Sequence, residues 1–132
     1  MVDVLSVPES QPEVFNKDSV SRIRKLAAID IGTNSTHLLV AAVDTSLGTF
    51  NIEQAEKSTT RLGERDPETG ALTDAAMKRG LETLRRFREL AASHAVEEVV
   101  TAATSAVREA PNGRDFLQVV KAVDLHTSDC EQ

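Results

Sequence analysis

The residues best suited to chemistry fall in three short stretches. The first is "DIGTNST", Asp30 followed by Gly32-Thr33-Asn34-Ser35. A loop of Gly, Thr, Asn and Ser can point several backbone N–H groups and hydroxyls at one anion. Gly32 removes the side chain that would block a close approach. Asp30 cannot bind a phosphate directly, because both are negative; it can act through a divalent cation or by orienting water. A plain hairpin turn with a partly exposed acid fits the same spacing, and spacing alone does not separate the two. The stretch matches neither the G-x-x-x-x-G-K-S/T nor the G-x-G-x-x-G pattern.

The second stretch is "TAATSAVREA", residues 101–110, where an apolar run meets Thr104, Ser105 and then Arg108. A helix start attracts anions through free N–H groups, and a guanidinium fork suits phosphate. Taken by itself, the stretch is read first as a capped helix with an exposed arginine. The third is "KSTTRLGE", residues 57–64, with Arg61 in a loop; a lone loop arginine is most often solvated. His37, His94 and His126 show no metal-ligand spacing. No G-x-S-x-G occurs, and Cys130 falls near the chain end.

These stretches need elements to position them. Residues 25–31 and 36–44 read as strands around the glycine loop, the second so continuously apolar that it suits cover on both faces. Residues 49–57 alternate and read as a third strand, giving a three-stranded antiparallel meander. Residues 58–72, with Gly63, Pro67 and Gly70, read as a loop. Thr73 can cap a helix over 74–92, with Met77, Leu81, Leu84, Phe87 or Arg88, and Ala91 at helical spacing. Lys78, Arg79, Arg85 and Arg86 then form a basic stripe, read as a solvated surface. Gly80 costs about 1 kcal/mol in a helix relative to Ala, so close packing is expected there. Residues 97–103 read as a further strand, reached by a right-handed crossover. A short helix over 106–110 follows, capped by Thr104-Ser105, and then one from Gly113 to about Val123, capped by Asn112. Its inward face is Phe116, Leu117, Val120 and Val123. Residues 1–22, with Pro8 and Pro12, read as a disordered leader, residues 23–123 as one partial lobe, and 124–132 as a tail.

Composition narrows the function classes. The chain has 132 residues, 40% hydrophobic, with four Phe and neither Trp nor Tyr, so its core is aliphatic. A net charge of −6 argues against a broad basic nucleic-acid face, although arginines converging on one pocket can still hold a polyanion. One cysteine excludes an internal disulfide, in keeping with a reducing cytoplasmic setting. No apolar run approaches a membrane span, and the N-terminus does not resemble a secretory signal.

Taken in order, "AAIDIGTNSTHLLV", "TRLGE", "ALTDAAMKRGLETLRRF" and "ATSAVREAPNGRDFL" resemble the N-terminal part of the Ppx/GppA phosphatases, which are exopolyphosphatases and guanosine pentaphosphate phosphohydrolases. The resemblance spans about residues 25–121. It implies an α/β, ribonuclease-H-like lobe of the actin-like ATPase superfold, truncated relative to the family. It also implies a site closing on a phosphate chain and Mg²⁺. By resemblance, Gly32, Thr33, Asn34 and Ser35 form a phosphate loop, and Asp30 is a metal-binding or water-orienting catalytic carboxylate. Arg61 and the catalytic Arg108 hold phosphates, and Thr104 and Ser105 line the same cleft. The implied substrate is polyphosphate or guanosine pentaphosphate. The other expected partners are the remainder of such a phosphatase, a partner lobe, or a second copy, since full-length members are often dimers.

Two departures stand out. A glycine is expected after "RLGE", where the chain has Arg65-Asp66-Pro67. The family's "ISGxEEAR"-like motif, carrying the catalytic Glu, and its "DIGGGSTE"-like second phosphate loop do not occur in these residues. The chain alone is therefore expected to be inactive, with an unpaired edge on the strand around Val99, weak stability and a tendency to associate. A non-catalytic phosphate-binding or lobe-pairing module is the alternative. An ATP-binding, kinase-like branch of the superfold is a further one, against which "ATSAVREA" counts.

Overall fold

The computed structural model describes residues 2–4 and 23–129, with side chains described over 23–123. The elements are β1 (Val2–Val4), β2 (Ile23–Ile31), β3 (Thr36–Asp44), β4 (Thr49–Ser58), α1 (Asp74–Ser93), β5 (Glu98–Thr104), α2 (Ser105–Arg108) and α3 (Gly113–Asp129). They form a sheet in the order β1-β5-β2-β3-β4. β2, β3 and β4 make the expected antiparallel meander. β5 returns parallel to β2 after α1, with Ile29 opposite Thr101 and Ile31 opposite Ala103.

Period-2 burial sets the two faces. Ala27, Ile29 and Ile31 of β2 and Leu38 and Val40 of β3 point into the core. There they meet Leu84, Phe87 and Ala91 of α1 and Phe116, Leu117 and Val120 of α3. Ala28, Asp30, His37 and Leu39 take the alternate positions and are exposed. This corrects the reading of β3 as covered on both faces: Leu39 is 39% exposed, and among the described residues one face carries the helices. β4 is the most open strand, with Phe50 and Ile52 exposed.

Helix α1 starts at Thr73, whose hydroxyl accepts from the Ala76 N–H at 3.1 Å, and both residues left open in its inward stripe, Phe87 and Arg88, are buried. Gly80 has the expected packing reason: a Cβ there would lie 3.1 Å from the Phe116 ring and 3.3 Å from Leu62. The other helix caps differ from expectation. Thr104 occupies the position before α2, but its hydroxyl makes no capping bond. The Asn112 side chain instead pairs with Leu72, accepting from its N–H at 2.8 Å and donating to its carbonyl at 3.0 Å.

Both chain ends depart from the sequence reading. Val2–Val4, inside the expected leader, pairs antiparallel with residues 102–104 of β5, so that edge is not left unpaired along its whole length. Helix α3 runs to Asp129, through most of the expected tail. Residues 5–22, with Pro8 and Pro12, and residues 130–132, with Cys130, lie outside the described residues. Among the described residues no helix is long and apolar enough to cross a membrane.

Candidate functional site

Parallel pairing of β2 with β5 brings two of the three sequence stretches to one end of the sheet. β2 finishes at Ile31 beside Ala103, so Gly32 and Thr104 leave adjacent strands together. Crevices outside the carboxyl ends of parallel strands are where α/β sheets bind ligands. Asp30 is on the outward phase of β2, exposed, opposite His37 of β3 and Ala102 of β5. An acid in an apolar strand is thus simply the solvent-side residue of the alternation.

The loop between β2 and β3 is closed by its own backbone. The Gly32 N–H donates to the Ser35 carbonyl at 3.0 Å. A Cβ on Gly32 would lie 2.8 Å from that same oxygen, so the turn requires glycine. Asn34 is exposed, while Gly32, Thr33 and Ser35 are half-buried.

The third stretch is docked directly onto this loop. The Arg61 N–H donates to the Asn34 carbonyl at 3.0 Å and the Gly63 N–H to the Thr33 carbonyl at 2.7 Å. A Cβ on Gly63 would lie 2.5 Å from the Thr33 methyl, so glycine permits the approach. Below the surface, the buried Thr36 and Thr60 hydroxyls meet at 3.0 Å. Arg61 adopts φ 49°, left-handed backbone that costs a non-glycine residue on the order of 1 kcal/mol. The turn ties the Arg61 backbone to the glycine loop, and the Arg61 side chain is exposed.

Arg79 holds the docked segment from behind. Its Nε donates to the Thr60 carbonyl at 3.0 Å, and an Nη bonds Glu64 at 3.3 Å. The Thr73 hydroxyl donates to the same carboxylate at 2.7 Å. That bond, followed by the charge of Arg79, holds the Glu64 carboxyl below its usual range. Arg79 is therefore not part of a merely solvated stripe. Arg65, where a glycine was expected, also has a structural task. It donates to the Gly70 carbonyl at 3.0 Å and, very closely, to the Ala106 carbonyl of α2. The loop over 58–72 thus bolts the glycine loop at one end to the α2 segment at the other.

Sequence reasoning missed these supports because each joins residues far apart in the chain. The only local signal was polarity: arginines placed where glycine or solvent was expected.

Around α2 the geometry is less like the expectation. The helix has four residues, too few to offer a substantial dipole. The Thr104 hydroxyl oxygen is buried with no hydrogen-bond partner among the described residues. Arg108 ends α2, half-buried, and lines a cavity shared with α3. Among the described residues no cluster of three or more His, Cys, Asp or Glu side chains is arranged to hold a metal. Mg²⁺ commonly keeps several waters and takes only one or two protein carboxylates alongside substrate phosphates. A single exposed Asp30 fits the protein share of such a site.

Comparison with known proteins agrees with this architecture. The sequence matches the Ppx/GppA phosphatase family over residues 38–124. It is 35% identical over 98 residues to exopolyphosphatase 1 of Mycobacterium tuberculosis, covering 74% of this chain and 28% of that protein. The fold is similar to the Aquifex aeolicus Ppx/GppA family member, with a TM-score of 0.71 and 33% identity, over 76% of this chain and 32% of that one. An exopolyphosphatase from Cytophaga hutchinsonii gives a TM-score of 0.68 at 34% identity, over 75% of this chain and 31% of that one. The chain thus spans about a third of the length of these relatives, with the α/β architecture of an actin-like ATPase-fold lobe. It belongs to the Ppx/GppA phosphatase family.

Proposed function

We propose that these residues form the first phosphate-gripping lobe of an exopolyphosphatase-like phosphohydrolase, acting on the terminal phosphate of polyphosphate or guanosine pentaphosphate in the cytoplasm. The observation that carries this reading is the double backbone bond from Arg61 and Gly63 to Asn34 and Thr33. It ties the backbone of a cationic residue to a glycine turn at the ends of two parallel strands, which supports the reading.

In this reading, N–H groups and hydroxyls of Gly32, Thr33, Asn34 and Ser35 bind terminal phosphate oxygens. Thr104 and Ser105 line the neighbouring strand end, and the buried Thr104 hydroxyl is a group in need of a partner. Arg61 and Arg108 neutralise charge that spreads over the phosphoryl oxygens as the anhydride bond breaks. Asp30 would hold Mg²⁺, whose role is to offset phosphate charge. The attacking water must lose its proton to a base. By the family resemblance, that base is a glutamate in a motif absent from these 132 residues. The lobe alone therefore binds without turning over, and it works with a complementary lobe or within a dimer.

Calorimetric titration of the 132-residue chain with sodium tripolyphosphate and MgCl₂ tests this. Saturable heat, weakened about tenfold or more in Arg61→Ala, is the expected result, with no phosphate released above background. No heat from demonstrably folded protein would sink the proposal. Turnover abolished by Asp30→Ala would show instead that the lobe is catalytic by itself.

A further inference from the structure

We propose that the cavity between α2 and α3 is a second anion site, taking the trailing part of a phosphate chain whose end lies at the Gly32–Ser35 loop. In that last respect it rests on the function proposed above. The cavity has a volume of about 590 Å³, within the usual range of small-molecule sites. Arg108 and Glu109 line it from the α2 side, and Arg114, Leu117, Gln118 and Lys121 from α3. Arg114, Gln118 and Lys121 recur at i, i+4 and i+7, along one stripe of the helix. The stripe borders the cavity instead of facing open solvent alone.

Charge and spacing point to the ligand class. Three cations face one acid here, in a chain whose net charge is −6. Local concentration of one sign in a concave site attracts the opposite charge despite the overall balance. Arg114 and Lys121 sit about 10 Å apart along the helix axis, a span better matched by an extended polyanion than by one phosphate. Gln118 between them offers amide donors. The cavity is also continuous in chain terms with the first site. Ala103 pairs with Ile31, α2 begins two residues later, and its last residue, Arg108, is already in the cavity wall. Gly113 seats α3 tightly on α2: a Cβ there would lie 2.8 Å from the Arg108 carbonyl oxygen. The backbone that carries the wall is therefore closely seated.

Amide NMR of the 132-residue chain, titrated with sodium tripolyphosphate and with long-chain polyphosphate, reads the two sites separately. Long-chain polyphosphate should shift the amides of residues 113–121 together with those of the glycine loop. Both Arg114 and Lys121 are exposed, so R114Q/K121Q should leave the thermal melt unchanged. The same variant should weaken long-chain binding about tenfold, flatten its salt dependence, and leave tripolyphosphate binding as it was. Unchanged long-chain affinity, or equal loss for both ligands, overturns the second site. Shifts in the loop without shifts in 113–121 also overturn it while the proposed function stands. Shifts in 113–121 with a silent loop uphold the anion site and remove the proposed function instead.

Discussion

The two ends of strand β2 are built differently. At its start the fold is held by charged side chains. Arg24 reaches Glu98 at 2.7 Å and Glu97 at 3.4 Å. Lys25 and His94 both approach Glu53, at 3.4 and 3.1 Å. Glu53 gains that position from a bulge in β4, where the register to β3 shifts between Val40 and Ala41. At the other end, past Ile31, backbone groups, hydroxyls and missing side chains make the contacts of the glycine loop itself, and the Arg79–Glu64 pair braces them from behind. The Gly32 and Gly63 contacts, and the carbonyls of Thr33 and Asn34, carry the structure there. The difference teaches what each end is for. Ion pairs at one end consume the charges they use. Backbone bonds at the other fix the loops while leaving Asp30 and Arg61 exposed, as the proposed phosphate site requires.

Breaking the glycine end should have the larger effect. Gly32→Ala places a methyl 2.8 Å from the Ser35 carbonyl oxygen. The backbone must move, at a cost of about 1–3 kcal/mol, as for overpacking in general. Urea unfolding should show that loss, and tripolyphosphate affinity should fall at least about tenfold in the fraction that remains folded. A variant of wild-type stability and affinity would mean that the turn is not rigid.

Arg79→Met comes next. It keeps much of the apolar stem while removing the bonds to the Thr60 carbonyl and Glu64. A loss of about 1 kcal/mol is expected, along with faster amide exchange at Arg61 and Gly63. At the opposite end, Arg24→Gln removes two ion pairs, yet Arg24 is partly exposed. It should cost at most about 1 kcal/mol and leave phosphate binding untouched. If Arg24→Gln sped amide exchange at Arg61 and Gly63 as much as Arg79→Met, the division between the two ends would be wrong.

The same division explains what was legible in the sequence. The apolar run that ends at Gly32 and the helical spacing from Met77 to Ala91 encode local geometry, so β2 and α1 were readable within two residues at each end. The glycine loop was readable because its residue types are themselves the device. The supports were not. Arg65 reaches across 41 positions to Ala106, and Asn112 across 40 to Leu72. Each replaced a local expectation, a turn glycine in one case and a helix cap in the other, with a tertiary bond of better geometry. One-sided cover of β3 was hidden for a related reason. Leu39 and Ala41 are apolar whichever face they take, so period-2 burial left no polar mark there.

Acid provides the finest test of the comparison, because both ends use carboxylates held below their usual range. For Glu53 the first cause is the bond to His94, followed by Lys25. For Glu64 it is the Thr73 hydroxyl, followed by Arg79. A carboxyl with a depressed folded value contributes its full stabilisation above the unfolded value, near 4.3. That contribution disappears as the pH falls through the lower folded value. Amide protection at Arg61 and Gly63 should therefore be level down to about pH 5 and decline below about pH 4. Asp66, lowered by the N–H groups of Thr69 and Glu68, titrates in the same window, so a variant is needed to separate the two. Glu64→Gln keeps an acceptor for Thr73 but removes the charge facing Arg79. It should reduce the acid-dependent decline at Arg61 and Gly63 by a modest amount, while the β2–β4 amides near Glu53 keep theirs. Equal changes at both ends would show that the two sets of contacts unfold as one unit, and that the separation between a charge-clasped end and a backbone-built end does not extend to their stability.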